Sequence, residues 1–150
     1  MKPIKTILCA VDFSEATTPV SNYATTLAKA LGAEVHVLYV APDLERYNLF
    51  EVPSRDIEAF VNNIIEGAEK SMAKCLDTEF ADVSGKGVVR MGYAPQKILE
   101  YAEEAGVDAI VIGSHGRRGV DRIVFGSVAE KVIKQSNVPV LTVPIRSRSS

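Results

Sequence analysis

Cysteine and histidine are scarce in this sequence, two of each in 150 residues. Cys9 and Cys75 stand far apart with no CxxC spacing, which excludes a disulfide framework and a zinc site and leaves reduced thiols packed as small apolar groups. His36 and His115 have no visible link to each other or to a nucleophile, so no Ser/His/Asp or Cys/His constellation can be assembled. An excess of positive charge is also lacking: 17 Lys and Arg stand against 19 Asp and Glu, a net charge of −2, which argues against nucleic acid as a partner. No apolar run approaches the roughly 20 residues of a membrane span. The opening Met1-Lys-Pro-Ile-Lys-Thr carries no secretory pattern, so no membrane insertion and a cytoplasmic location are expected. No linker or low-complexity segment interrupts the chain before its last residues. That suits one domain over residues 1–145, with 146–150 expected as a disordered tail. Two phosphate fingerprints are missing as well. Without GxxxxGK[ST] or GxGxxG, neither a P-loop motor nor a conventional NAD dehydrogenase is favoured.

What the sequence does contain is an alternation of short apolar runs with amphipathic stretches. Apolar, β-branched runs at 5–11, 34–40, 85–90, 108–112 and 139–143 predict five strands. Between them, Val20, Ala24, Leu27 and Leu31 recur at helical spacing, as do Ile57 to Leu76, Ile98 to Ala105, and Val128 to Gln135, predicting four helices. Ser14 and Ser54 suit helix caps, Pro95 suits a first turn, and Gly32 and Gly106 suit helix stops. Strands alternating with helices imply right-handed βαβ units and a parallel sheet covered on both faces, a three-layer α/β sandwich. Residues 44–53 show no period; Tyr47, Leu49 and Phe50 there suit either a surface excursion or a cover over a ligand.

The most informative stretch is Gly113-Ser-His-Gly116-Arg-Arg-Gly-Val-Asp-Arg-Ile-Val-Phe-Gly126-Ser127. It joins the fourth strand to the last helix. Glycines allow a sharp turn or a close approach to a ligand, and the unpaired N–H groups of the helix that opens at Gly126-Ser127 suit an anion. Arg117, Arg118 and Arg122 add positive charge, as phosphate ligands or as solvated loop charges. Asp12, where the first strand ends, suits a ribose hydroxyl, Mg²⁺ or simply a turn. His115 has nothing to orient it and is assigned no catalytic role.

The pattern Gly113-x2-Gly116-x9-Gly126-Ser127 resembles the ATP-binding signature of the universal stress protein family. The opening Ile7 to Ser14, the second strand ending at Val40 and the closing Val138 to Val143 resemble that family's landmarks too. The resemblance implies a Rossmann-like sheet in the order 3-2-1-4-5 and a homodimer through strand 138–143. It also implies an ATP site built from Asp12, Val40, Gly113, Gly116, Arg117, Gly126, Ser127 and Val128, with Asp12 as the place for Mg. The function it implies is a nucleotide-responsive regulatory module in stress response, with a protein partner left unspecified. Nothing orients an attacking water, so hydrolysis is expected at about 10⁻³ s⁻¹ or below. Two alternatives stand beside this reading: a same-fold interaction module that binds no nucleotide, and an ATP-using adenylating enzyme. The second is disfavoured by the lack of HxGH and SGGxDS motifs.

Overall fold

The computed structural model describes residues 2–43, 54–114 and 126–145. In chain order the elements are β1 (Thr6–Ala10), α1 (Thr17–Leu31), β2 (Glu34–Ala41), α2 (Ser54–Glu79), β3 (Gly85–Met91), α3 (Ala94–Ala105), β4 (Ala109–Gly113), α4 (Ser127–Gln135) and β5 (Val140–Val143). The strands form one parallel sheet in the order β3-β2-β1-β4-β5. The predicted elements and the order implied by the resemblance both match.

A strand sends successive side chains to opposite faces, and here both faces are covered, so both sets are apolar. In β1, Ile7 and Cys9 join Val35, Val37 and Val111 beneath α1 and α2. Leu8 turns the other way and meets Leu38, Ile110, Ile98 and Val132 beneath α3 and α4. Both cysteines are packed in the first of these layers and remain free thiols. Burial holds the Cys9 thiol far above its ordinary range, and burial followed by the Glu79 charge pushes Cys75 up to about 11. Gly32 and Gly106 end α1 and α3 in the left-handed conformation, at φ 65° and 62°, where a Cβ would be strained.

Some sequence expectations differ in detail. Tyr23 and Leu31 lie at the edge of the α1 stripe and are exposed, as is Phe60 on α2. The cause at Phe60 is length. A 26-residue helix runs about 39 Å, whereas the eight residues of β2 span about 26 Å, so the first half of α2 outruns the sheet, and burial begins only at Ala68. Helix α2 also continues through Thr78, where an irregular segment was expected. Ser14 does not cap α1 directly. Its Oγ accepts the Ala16 N–H at 3.1 Å, one turn before a helix that begins at Thr17 without a side-chain cap. The loop at 44–53 with Tyr47, Leu49 and Phe50, the Ser54 side chain and the tail at 146–150 lie outside the described residues.

The amino ends of β1 and β4 are tied by Asp108. Its Oδ2 accepts the N–H groups of Lys5 (2.8 Å) and Thr6 (3.0 Å), and Lys2 Nζ lies 3.4 Å from Oδ1. The Lys5 N–H above all, with Thr6 and Lys2 behind it, holds this carboxyl below the ordinary range against its desolvation. A depressed folded-state pKa gives stability that is complete above the unfolded value near about 4 and is lost as pH falls through the folded one. Asp108→Asn is therefore expected to cost about 1 kcal/mol at pH 7, and the gap to the parent should close in strong acid. Urea unfolding from pH 2 to 7 measures both.

Candidate functional site

The strand order reverses between β1 and β4, because β1 connects onward to β2 on one side while β4 leads to β5 on the other. Strands that diverge in this way leave a crevice outside their carboxyl ends. Three turns meet there.

The first turn follows β1. Val11 continues the pairing by donating its N–H to Leu38 O at 2.9 Å, and the chain then bends. Asp12 Oδ1 accepts both the N–H (2.9 Å) and the hydroxyl (2.5 Å) of Ser14, which shapes the bend and leaves Oδ2 without a hydrogen-bond partner among the described residues. Phe13 sits at φ 59°, a left-handed conformation that a bulky residue rarely adopts, with its ring 4.5 Å from that of Tyr39. The turn is thus held by one carboxylate and one aromatic contact at the rim of the crevice.

The second turn follows β4. Ser114 N–H donates to Val143 O at 2.9 Å, and the Gly126 N–H donates to the Ser114 carbonyl. The two ends of the glycine loop are thereby pinned together. Gly126 is the N-cap of α4 and offers no side chain to its first turn, so the open N–H groups there retain their attraction for an anion. The acidic residue in that turn, Glu130, is engaged by Lys134 at 3.0 Å. The third turn is the end of β2, where Val40 pairs with Arg90 of β3.

These turns enclose a cavity of about 280 Å³. Asp12, Val40, Gly113, Gly126, Ser127 and Val128 all line it. They come from four elements spread over more than a hundred residues. Gly116, Arg117, Arg118, Arg122 and His115 lie outside the described residues. A more polar groove of about 530 Å³ adjoins the cavity, sharing Val40, Ala94 and Val128 with it. The rest of the cavity wall is mostly apolar: Ala10, Ala16, Val20, Leu38 and Ile98 contribute, suiting an aromatic base better than a charged group. Among the described lining residues Asp12 is the one carboxylate, and no cluster of three or more acidic, histidine or cysteine side chains exists among the described residues. A cation here would need ligand oxygens to complete its shell.

Sequence reasoning missed the floor of this cavity, including Ala16, Thr17 and Ile98. A signal was present for Thr17. It falls three residues before Val20, in phase with Ala24 and Ala28, so the apolar stripe of α1 begins on a hydroxyl.

Known proteins share this fold. Residues 3–144 match the Universal stress protein family. Universal stress protein MJ0577 of Methanocaldococcus jannaschii is 32% identical over 152 residues, covering 93% of this chain and 94% of the relative. The solved structure of MJ0577, described as a hypothetical protein whose biochemical function was assigned from its structure, aligns with a TM-score of 0.83 at 30% identity. It spans 97% of this chain and 99% of its own. The universal stress protein from Archaeoglobus fulgidus in complex with dAMP aligns at a TM-score of 0.65 and 25% identity over 94% of this chain and 98% of its own. No helix among the described residues is long and apolar enough to cross a membrane. The sheet order, the crevice at its reversal and a match running over nearly the whole chain agree, and the chain belongs to the universal stress protein family.

Proposed function

We propose that this protein binds an adenine nucleotide, ATP with Mg²⁺, in the crevice between β1 and β4, and that it acts in the cytoplasm as a nucleotide-responsive regulatory module in stress response. The observation that carries the reading is one cavity with two chemically different ends. An apolar floor suits a base, and the uncapped first turn of α4 at Gly126 and Ser127 suits phosphate. The dAMP complex of the Archaeoglobus fulgidus relative supports an adenine nucleotide as the ligand class. Val40 supplies backbone groups to the base, and Arg117 and Gly116 extend the phosphate end.

Asp12 fits the part of Mg²⁺ ligand. The ion takes one or two carboxylates and completes its octahedron with phosphate oxygens and water, and Asp12 Oδ2 has no hydrogen-bond partner among the described residues. Charge-assisted contacts at roughly 1.5–3 kcal/mol each, with burial of the base, reach the roughly 8 kcal/mol of micromolar affinity. The cavity offers charge and shape for binding, and its described wall holds one carboxylate, Asp12, and no histidine or cysteine, so turnover is slow and binding is the signal. The free edge of β5 forms a homodimer. Mass spectrometry of small molecules released from the purified, denatured protein tests the central claim. An adenine nucleotide near one per chain is expected. Its absence, with no calorimetric binding of Mg-ATP, would favour the interaction module that binds no nucleotide.

A further inference from the structure

Two buried side-chain polar atoms among the described residues have no hydrogen-bond partner, Thr17 Oγ1 and Ser21 Oγ. Both lie on α1, one turn apart. Thr17 is 8% exposed and lines the cavity, whereas Ser21 is fully buried and is not part of the cavity wall. An unpaired buried hydroxyl weakens the free protein, so each asks for an explanation.

Thr17 is the first residue of α1. A helical threonine ordinarily satisfies its hydroxyl on the carbonyl three or four residues back. Here the carbonyl three back, that of Ser14, accepts the Thr17 N–H at 3.0 Å. The one four back belongs to Phe13, whose left-handed backbone lies outside the helix. The hydroxyl bonds to neither carbonyl, and the side chain that carries it lines the cavity. A helical threonine has two χ1 rotamers open to it, and rotation between them carries Oγ1 and the methyl group round together, so the hydroxyl can be turned toward whatever fills that space.

We infer that Thr17 is a ligand-binding residue whose hydroxyl hydrogen-bonds the nucleoside moiety, base or ribose, of a nucleotide bound in this cavity. The inference rests on the nucleotide reading above and adds a polar contact that the glycine-loop pattern does not contain. The nucleoside is favoured over the phosphates by the company Thr17 keeps. Ala16, the N-cap of α1, and Val20 flank it, and Ala10, Leu38 and Ile98 complete an apolar wall on which a phosphate would lose its hydration without replacement. The donors suited to phosphate are at Gly126 and Ser127.

The test compares Thr17→Val with Ser21→Ala, using calorimetry with Mg-ATP and with adenosine alongside thermal unfolding of the free proteins. Thr17→Val should raise Kd for both ligands by the same factor, about fivefold, the size of one neutral hydrogen bond, without lowering the melting temperature. Thr17→Ala, which cannot overpack, should repeat the loss, and Thr17→Ser should restore binding. Ser21→Ala should raise the melting temperature and leave both affinities unchanged. If the parent binds both ligands and Thr17→Val binds them equally well, Thr17 is only an unpaired hydroxyl and the inference falls. A loss confined to ATP would place Thr17 at the phosphate end and also overturn it. A parent that binds neither ligand would remove the nucleotide reading itself.

Discussion

A Gly126→Val variant is expected to fold normally and to lose ATP binding, its Kd rising by more than about a hundredfold. The fold should survive because Gly126 does not use the conformations reserved for glycine. Its φ of −55° and ψ of 146° are open to any residue, so a side chain adds no backbone strain. Its structural bonds are made by the main chain, the N–H to Ser114 and the carbonyl to the Glu130 N–H at 3.0 Å, and a valine keeps both. Valine is a poorer N-cap than glycine, a penalty of about 1 kcal/mol that lowers the melting temperature by only a few degrees. The ligand meets a different situation. Gly126 lines the cavity beside the open first turn of α4, and a branched side chain there occupies the space through which phosphate oxygens reach the N–H groups. Calorimetry on the folded variant decides the matter: ATP affinity equal to the parent's would reject this site.

Thr142→Pro should convert a dimeric protein into a folded monomer. In a parallel ladder the main-chain groups of alternate residues face the same neighbour. Ile110 N–H donates to Pro139 O and Ser114 N–H to Val143 O, both at 2.9 Å, so residues 139, 141 and 143 turn their main-chain groups toward β4. Those of Val140 and Thr142 then point to the free edge. A bare edge with the apolar Leu141 41% exposed beside it needs cover, and in the proposed dimer a two-fold mate supplies it through the same strand. Proline at 142 removes an outward N–H and spares the bonds to β4. Symmetry doubles the loss, so the dimer should weaken by about a hundredfold. Light scattering at micromolar concentration should give twice the chain mass for the parent and the chain mass for the variant. A monomeric parent, or a variant that remains dimeric, would exclude this edge as the interface.

How much was legible in the sequence depended on the range of the forces involved. Strand and helix identities are local, and Gly32, Gly106 and Pro95 mark helix ends where the structure has them. Short-range patterns misled where burial depends on a neighbour's extent. Phe60 has the right phase on α2 and remains exposed because no sheet lies beneath that turn. Ser14 has the right chemistry for a cap, but Asp12 engages its N–H and hydroxyl, and α1 starts a turn later.

The sequence by itself determined the parallel α/β class, because strands that alternate with helices leave few other ways to bury both faces of a sheet. It also marked Gly113, Gly126, Ser127 and Asp12 as unusual turns. Strand order is set by pairings between residues far apart in the chain, such as Ile7 with Ala109, and no local pattern encodes those. Before the structure, the order was available only through the family resemblance. Only the tertiary structure decided that the turns after β1, β2 and β4 surround one cavity, that its floor is apolar, and that Thr17 stands in its wall with no partner. The physical reason is the same in each case. A cavity is defined by what several elements fail to fill, and an unpaired hydroxyl by what none of its neighbours supplies.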